Sequence, residues 1–214
     1  MFWSRKPYIR SELLEQADQA RAKGQLRKAI KRYRQILAVD PSDIVVHGKL
    51  APLLARKTNQ RGEALASFQL AAAGHQKAGY PDRAISVYVQ AAQLFPEQVD
   101  LWRQIAETQV RTGKRVDAVN TLVTGSGHLR DKKELWGHAT ALLESALELS
   151  PRHPEATLCM AMLLGAQGRV KDGLALLAPL SDGLLGQPLR RVRWAMVRLS
   201  PTPRHLWRWV RTFF

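Results

Sequence analysis

"ILAVDPSD" (residues 36–43) poses the question that decides the fold. An apolar run with helical spacing, Ile36 and Leu37 at its end, stops at Asp40-Pro41. Proline has no backbone N–H to give and its ring collides with the preceding turn, so a helix cannot run through it. The same punctuation returns as "QLFPEQ" around Pro96 and "ELSPRH" around Pro151, a period of 55 residues. A long period punctuated by proline is the mark of a repeat architecture.

Working outward, residues 11–41 hold two runs. Leu13, Leu14, Ala17 and Ala20 form the first, and Gly24 breaks it. Ala29, Ile30, Tyr33, Ile36 and Leu37 form the second, which Pro41 ends. Both have the i, i+3, i+4, i+7 spacing of an amphipathic helix. Two such helices joined at a glycine make a helical hairpin.

These residues resemble a tetratricopeptide repeat (TPR). Ala17, Gly24, Ala29, Tyr33 and Pro41 stand at the small, glycine, alanine, aromatic and proline places of that motif. Residues 65–98 are similar, with Ala72, Gly79, Ala84, Tyr88, Ala91 and Pro96. The stretch from 99 onward matches with Trp102, Ile105, Ala106, Gly113 and Ala118. Residues 154–179 resemble a degenerate unit, with Ala161 and Gly168 but Gly173 where alanine is expected. The resemblance covers most of residues 10–180 and implies an all-α fold: a TPR-like right-handed α-α superhelix, a solenoid of antiparallel helix pairs with about 11–12 helices. It also implies a non-catalytic scaffold that binds a protein partner along its concave face. With "KLAPLLAR" and its arginine-rich ends, the chain resembles Arg-rich bacterial TPR proteins, a likeness that implies fold and not client.

A TPR is about 34 residues long, so a 55-residue period leaves room for one further helix of roughly six turns. Each long unit therefore reads as three helices, near 43–57, 61–78 and 81–95, then 98–112, 115–129 and 133–149. The expected organisation is a basic segment over 1–10, repeat units near 10–43, 44–98, 99–153 and 154–180, and a basic helical tail over 181–214. Helix 61–78 fits both as the second helix of one TPR and as the first of the next, which predicts a local irregularity. Two more departures stand out. Pro52 lies inside "HGKLAPLLARK", where it should kink a helix, with Gly48 relieving the clash. "VTGSGHL" (123–129) is expected to interrupt its helix, as a frayed connector or a hinge.

In a chain of 214 residues, 33 Lys and Arg against 18 Asp and Glu give a net charge of +15. Such an excess favours anionic partners. It sits at the ends: residues 183–214 hold seven arginines and no acid, and residues 1–40 hold ten basic and four acidic side chains. The single cysteine, Cys159, excludes an internal disulfide and a cysteine zinc cluster, and within "ATLCMAMLL" it reads as a buried small hydrophobe. The start lacks the apolar core of a secretory signal, and no run approaches the ~20 apolar residues of a membrane span. A cytoplasmic protein is the expectation, with peripheral membrane association as the alternative.

No phosphate loop, HExxH or Gly-x-Ser-x-Gly motif occurs, and the six histidines are scattered, so neither catalytic residues, metal ligands nor a cofactor are expected. Glu144 and Glu148 read as a solvated helix face rather than an acid–base pair. TPR resemblance places groove residues on the first helices of the units, here Lys49, Arg56, Arg103, Glu107 and Arg111. The asparagines of the family's carboxylate clamp are missing, which argues against a chaperone-tail binder.

The tail carries the second candidate set. "LRRVRWAMVRLS" puts Leu189, Val192, Met196 and Leu199 on one face, and Arg190, Arg191, Arg193 and Arg198 mostly on the other, with Trp194 among them. "RHLWRWVRTFF" repeats the pattern, with Leu206, Trp209, Val210 and Phe213 against Arg204, Arg208 and Arg211, and with Trp207 beside them. Such helices cap a solenoid, or they meet an acidic protein, an anionic membrane surface or RNA. A small-molecule substrate is not expected.

Overall fold

The structure, a computed structural model, describes residues 9–213; the basic segment expected over 1–10 lies mostly outside them. Among the described residues there are twelve α-helices, two short 3-10 turns and no strand. The chain divides at Phe95/Pro96 into two compact units.

The first unit holds α1 (Arg10–Ala22), α2 (Leu26–Leu37), α3 (Ile44–Ala55), α4 (Arg61–Lys77) and α5 (Pro81–Leu94). The second holds α6 (Val99–Arg111), α7 (Arg115–Leu129), α8 (Trp136–Leu149), α9 (Pro154–Ala166), α10 (Val170–Asp182), α11 (Gly186–Leu199) and α12 (Pro203–Val210). Compared at a shift of 55, α3-α4-α5 and α6-α7-α8 are successive copies of one three-helix pattern, α9 and α10 continue it, and α11 follows as the third helix but starts ahead of that register. α1 and α2 match its last two helices.

Four turns share one geometry. Gly24, Gly79, Gly113 and Gly168 all have φ between +70° and +83°. In each, the N–H after the glycine reaches back five residues: Gln25 to the Ala20 carbonyl, Tyr80 to His75, Lys114 to Gln109 and Arg169 to Leu164. This is the Schellman helix end, whose left-handed residue is cheap only for glycine. At a shift of 55, the place of Gly113 in the preceding copy is taken by the 3-10 turn Thr58–Gln60. The place of Gly79 in the following copy is taken by the 3-10 turn Lys133–Leu135. The glycine therefore marks the second turn of the pattern at Gly24 and Gly79 and the first turn at Gly113 and Gly168, and helix 61–78, which precedes the switch, fits two TPR places. α4 packs against both α3 and α5.

The prolines earn their recurrence through a shared bond. The Trp102 indole N–H donates to the Pro96 carbonyl at 2.9 Å, and His47 Nε2 donates to the Pro41 carbonyl at 2.9 Å. Both rings stand six residues after their proline and hold the loop onto the next helix. Thr157, at the third equivalent place, is too short to reach and bonds the His153 carbonyl instead.

The expected interruption at "VTGSGHL" is not there. α7 runs unbroken from Arg115 to Leu129. Gly125 is buried against α6, where an added Cβ would lie 2.6 Å from Trp102 Cγ. The Trp102 ring also stacks on His128, centroids 5.3 Å apart. The glycine there is a helix-packing residue, not a loop residue. Gly173 has a similar cause: a Cβ would lie 2.7 Å from the Ala161 carbonyl oxygen, so α9 and α10 approach too closely for alanine. Pro52 sits in the last turn of α3, and a Cβ added at Gly48 would meet Ala71 of α4 at 3.9 Å rather than the proline. Cys159 is half-buried rather than buried, and burial raises its thiol pKa.

Candidate interaction surfaces

In the first unit, Lys49 is not free for a partner. Its ammonium pairs with Asp18, whose other oxygen accepts from the Tyr33 hydroxyl at 2.6 Å. The three residues tie α1, α2 and α3 together. Burial pushes the Asp18 carboxyl up, but the Lys49 and Tyr33 hydrogen bonds outweigh it and hold the group below the usual carboxylate value. Tyr33 is fully buried, and burial together with Asp18 pushes its phenol up. Sequence reasoning missed this network because Asp18 lies 15 residues from Tyr33 and 31 from Lys49, the three on different helices. Its only trace is a carboxylate on the small-residue face of α1. Arg56 ends α3 and is exposed.

A second carboxylate in this unit is likewise engaged. Asp43 caps α3 by accepting from the Val45 and Val46 N–H groups, both at 3.1 Å, and takes the Arg10 guanidinium at 2.6 Å. Burial raises its pKa, yet these bonds keep it lowered on balance.

In the second unit, α6 has a clear division of faces. Leu101, Trp102, Ile105, Ala106, Thr108 and Gln109 are buried. Arg103, Glu107 and Arg111, four residues apart, stand on the opposite side, with Glu107 and Arg111 exposed. Arg103 comes within 3.7 Å of Asp100 one turn earlier, and Arg111 Nη2 donates to the Thr108 hydroxyl at 3.3 Å. Both contacts are local to α6, so the stripe keeps its charge-assisted bonding capacity for a partner.

The tail forms a helical hairpin. α11 buries Leu189, Val192, Ala195 and Met196, and Val192, Ala195 and Met196 join Ala161 of α9 and Leu177 of α10 in one apolar cluster. α12 folds back along α11: Arg190 pairs with the level of Thr212, Arg193 with that of Arg208, and the Trp194 and Trp209 rings meet at a tilt of 42°, centroids 4.9 Å apart. Two of the candidate arginines are committed to this hairpin. Arg190 Nε donates to the Thr212 carbonyl at 3.0 Å and lies 4.4 Å over the Phe213 ring. Arg193 Nη1 donates to the Arg208 carbonyl at 2.8 Å. Both satisfy carbonyls that the end of α12 leaves unpaired. Arg191 bridges to Glu155 at 2.8 Å, and Arg208 approaches Asp182 at 4.0 Å.

Arg198, Arg204 and Arg211 meet no carboxylate among the described residues; Arg211 lies 4.6 Å over the Trp207 ring. Arg193, Arg204, Trp207, Arg208 and Arg211 line one open depression of about 580 Å³. The Arg193 Nε atom is buried there without a hydrogen-bond partner. α12 has no buried residue: Leu206, Trp207 and Val210 are exposed, and Trp209 is half-buried against Trp194 of α11. The sequence shows an amphipathic helix but not which of its faces is left in water.

The fold is TPR-like. No protein-family model and no curated protein matches the chain. Among solved structures it is similar to a putative kinesin light chain with TPR-like repeats from Podospora anserina. The identity is 15%, 95% of this chain and 94% of that one are covered, and the TM-score is 0.43. A tetratricopeptide repeat protein from Parabacteroides merdae ATCC 43184 matches at 13% identity, 95% and 90% coverage and TM-score 0.34. PilW, a type IV pilus biogenesis factor, matches at 13% identity, 95% and 91% coverage and TM-score 0.35. Among the described residues no helix is long and apolar enough to cross a membrane, and no group of His, Cys, Asp or Glu is placed to hold a metal ion.

Proposed function

We propose that the protein is a non-catalytic helical-repeat adaptor that holds a protein partner on the exposed face of α6. The supporting observation is the stripe Arg103, Glu107 and Arg111, set at one-turn spacing opposite a fully packed face. Two guanidiniums flanking a carboxylate at that spacing suit a partner helix or extended segment carrying two acidic groups around a basic one. Arg56 stands at the place equivalent to Arg111 in the preceding copy. Lys49 contributes to stability rather than to binding, because its charge is used by Asp18.

The test is affinity capture of a partner by the full chain and by an Arg103→Glu/Arg111→Glu variant. Both positions lie off the buried face, so the variant keeps its helical circular dichroism. The expected result is one partner retained at raised salt and lost from the variant by at least about tenfold in affinity, the scale of two charge-assisted bonds. Equal retention by both proteins refutes the assignment of the partner to α6.

A further inference from the structure

α12 is an amphipathic helix turned the wrong way for a soluble protein. Its half-buried side chains are His205, Arg208 and Trp209, which face α11. Leu206, Trp207 and Val210 face outward and, with Phe213, are between 40% and 59% exposed. Trp194 of α11, 45% exposed, lies next to them through its contact with Trp209. A run of large apolar side chains held in water is costly and marks a contact surface.

The flank of this stripe is cationic. Arg204 and Arg211 stand beside Trp207, with Arg193 and Arg208 lining the same depression. From residue 183 onward the chain has seven arginines and no acid, and although Asp182 approaches Arg208 at 4.0 Å, Arg204 and Arg211 meet no carboxylate among the described residues, so the patch stays net positive. Three occupants meet this charge. RNA would use the aromatic rings and the arginines but leaves Leu206 and Val210 without purpose. An acidic protein requires a shaped, desolvated core, which an eight-residue helix without a buried residue does not provide. The headgroup layer of a bilayer accepts both halves together: aromatic and aliphatic side chains enter the acyl boundary while arginines remain at the phosphates.

We propose that α12 docks this end of the protein on the surface of an anionic phospholipid bilayer. Leu206, Trp207, Val210 and Phe213 insert, and Arg204 and Arg211 meet the lipid phosphates. This goes beyond the adaptor reading, since it concerns another helix and another partner, and either stands if the other fails.

The test is co-sedimentation of the full chain with vesicles of phosphatidylcholine, with and without phosphatidylglycerol. Variants are Leu206→Glu/Val210→Glu and Arg204→Ala/Arg211→Ala, with folding checked by circular dichroism. Each surface arginine is worth about fivefold in partitioning, so the arginine variant is expected to bind anionic vesicles roughly tenfold or more weakly. The glutamate variant is expected to lose binding by at least about the same factor. Wild type is expected to bind neutral vesicles weakly and to stay on anionic ones in the presence of inorganic phosphate. Four results overturn the proposal: no binding of wild type to anionic vesicles, unchanged binding of the glutamate variant, release by inorganic phosphate, or release by a single-stranded RNA.

Discussion

Replacing Gly125 with alanine separates a packed helix from a frayed connector. The new Cβ would stand 2.6, 2.8 and 2.9 Å from three atoms of Trp102, all closer than real contacts allow. Trp102 cannot simply swing away. It is 7% exposed, is held by its 2.9 Å bond to the Pro96 carbonyl, and stacks on His128. Overpacking of this kind costs about 1–3 kcal/mol, and a displaced indole gives up roughly 1 kcal/mol more with its hydrogen bond. The alanine returns about 1 kcal/mol in helix propensity, leaving a net loss of roughly 1–3 kcal/mol. Gly127, two residues on in the same helix, meets nothing within 4 Å. Gly127→Ala should therefore gain about 0.5–1 kcal/mol. Urea unfolding followed by circular dichroism reads both. With slopes near 2 kcal/mol per molar, the two midpoints should differ by roughly 1 M, with wild type between them. If Gly125→Ala stabilises as Gly127→Ala does, Trp102 is not packed on α7 and the reasoning fails.

Two further outcomes follow from the turns and the half-buried carboxylate. Asp18 has its folded pKa lowered, so its pairing stabilises the fold above the ordinary carboxylate range and that contribution is lost as pH falls through the folded value. Unfolding free energy measured against pH should fall in acid for wild type and fall less for Asp18→Asn; parallel curves contradict the network. Gly113→Ala meets no atom within 4 Å, yet φ of +77° alone should cost about 1–2 kcal/mol, seen as a lowered urea midpoint. No change there means that the turn is not left-handed.

The hairpins were legible in the sequence because their signals are local. Gly24 and Pro41 stop helices by backbone chemistry alone, and Ala17, Ala29 and Tyr33 carry helical spacing. What sequence could not show depends on what lies across a helix pair. "VTGSGHL" has the composition of a connector, and only the nearness of Trp102 makes Gly125 a packing residue. Lys49 read as a groove residue because its partner Asp18 is 31 residues away. Arg190 and Arg193 looked like the outward face of α11, whereas α12 returns along that face and takes both for its carbonyls. The orientation of α12 was hidden for the same reason.

Amide hydrogen exchange resolved residue by residue tests the three-helix pattern most directly. Protection should run through α6, unbroken α7 and α8, then α9, α10 and α11, with fast exchange at the Gly113 and Gly168 turns, at Lys133–Leu135 and on either side of Pro151. A fast-exchanging gap across 123–128, or protection continuing through Pro151, would contradict a three-helix unit repeating every 55 residues.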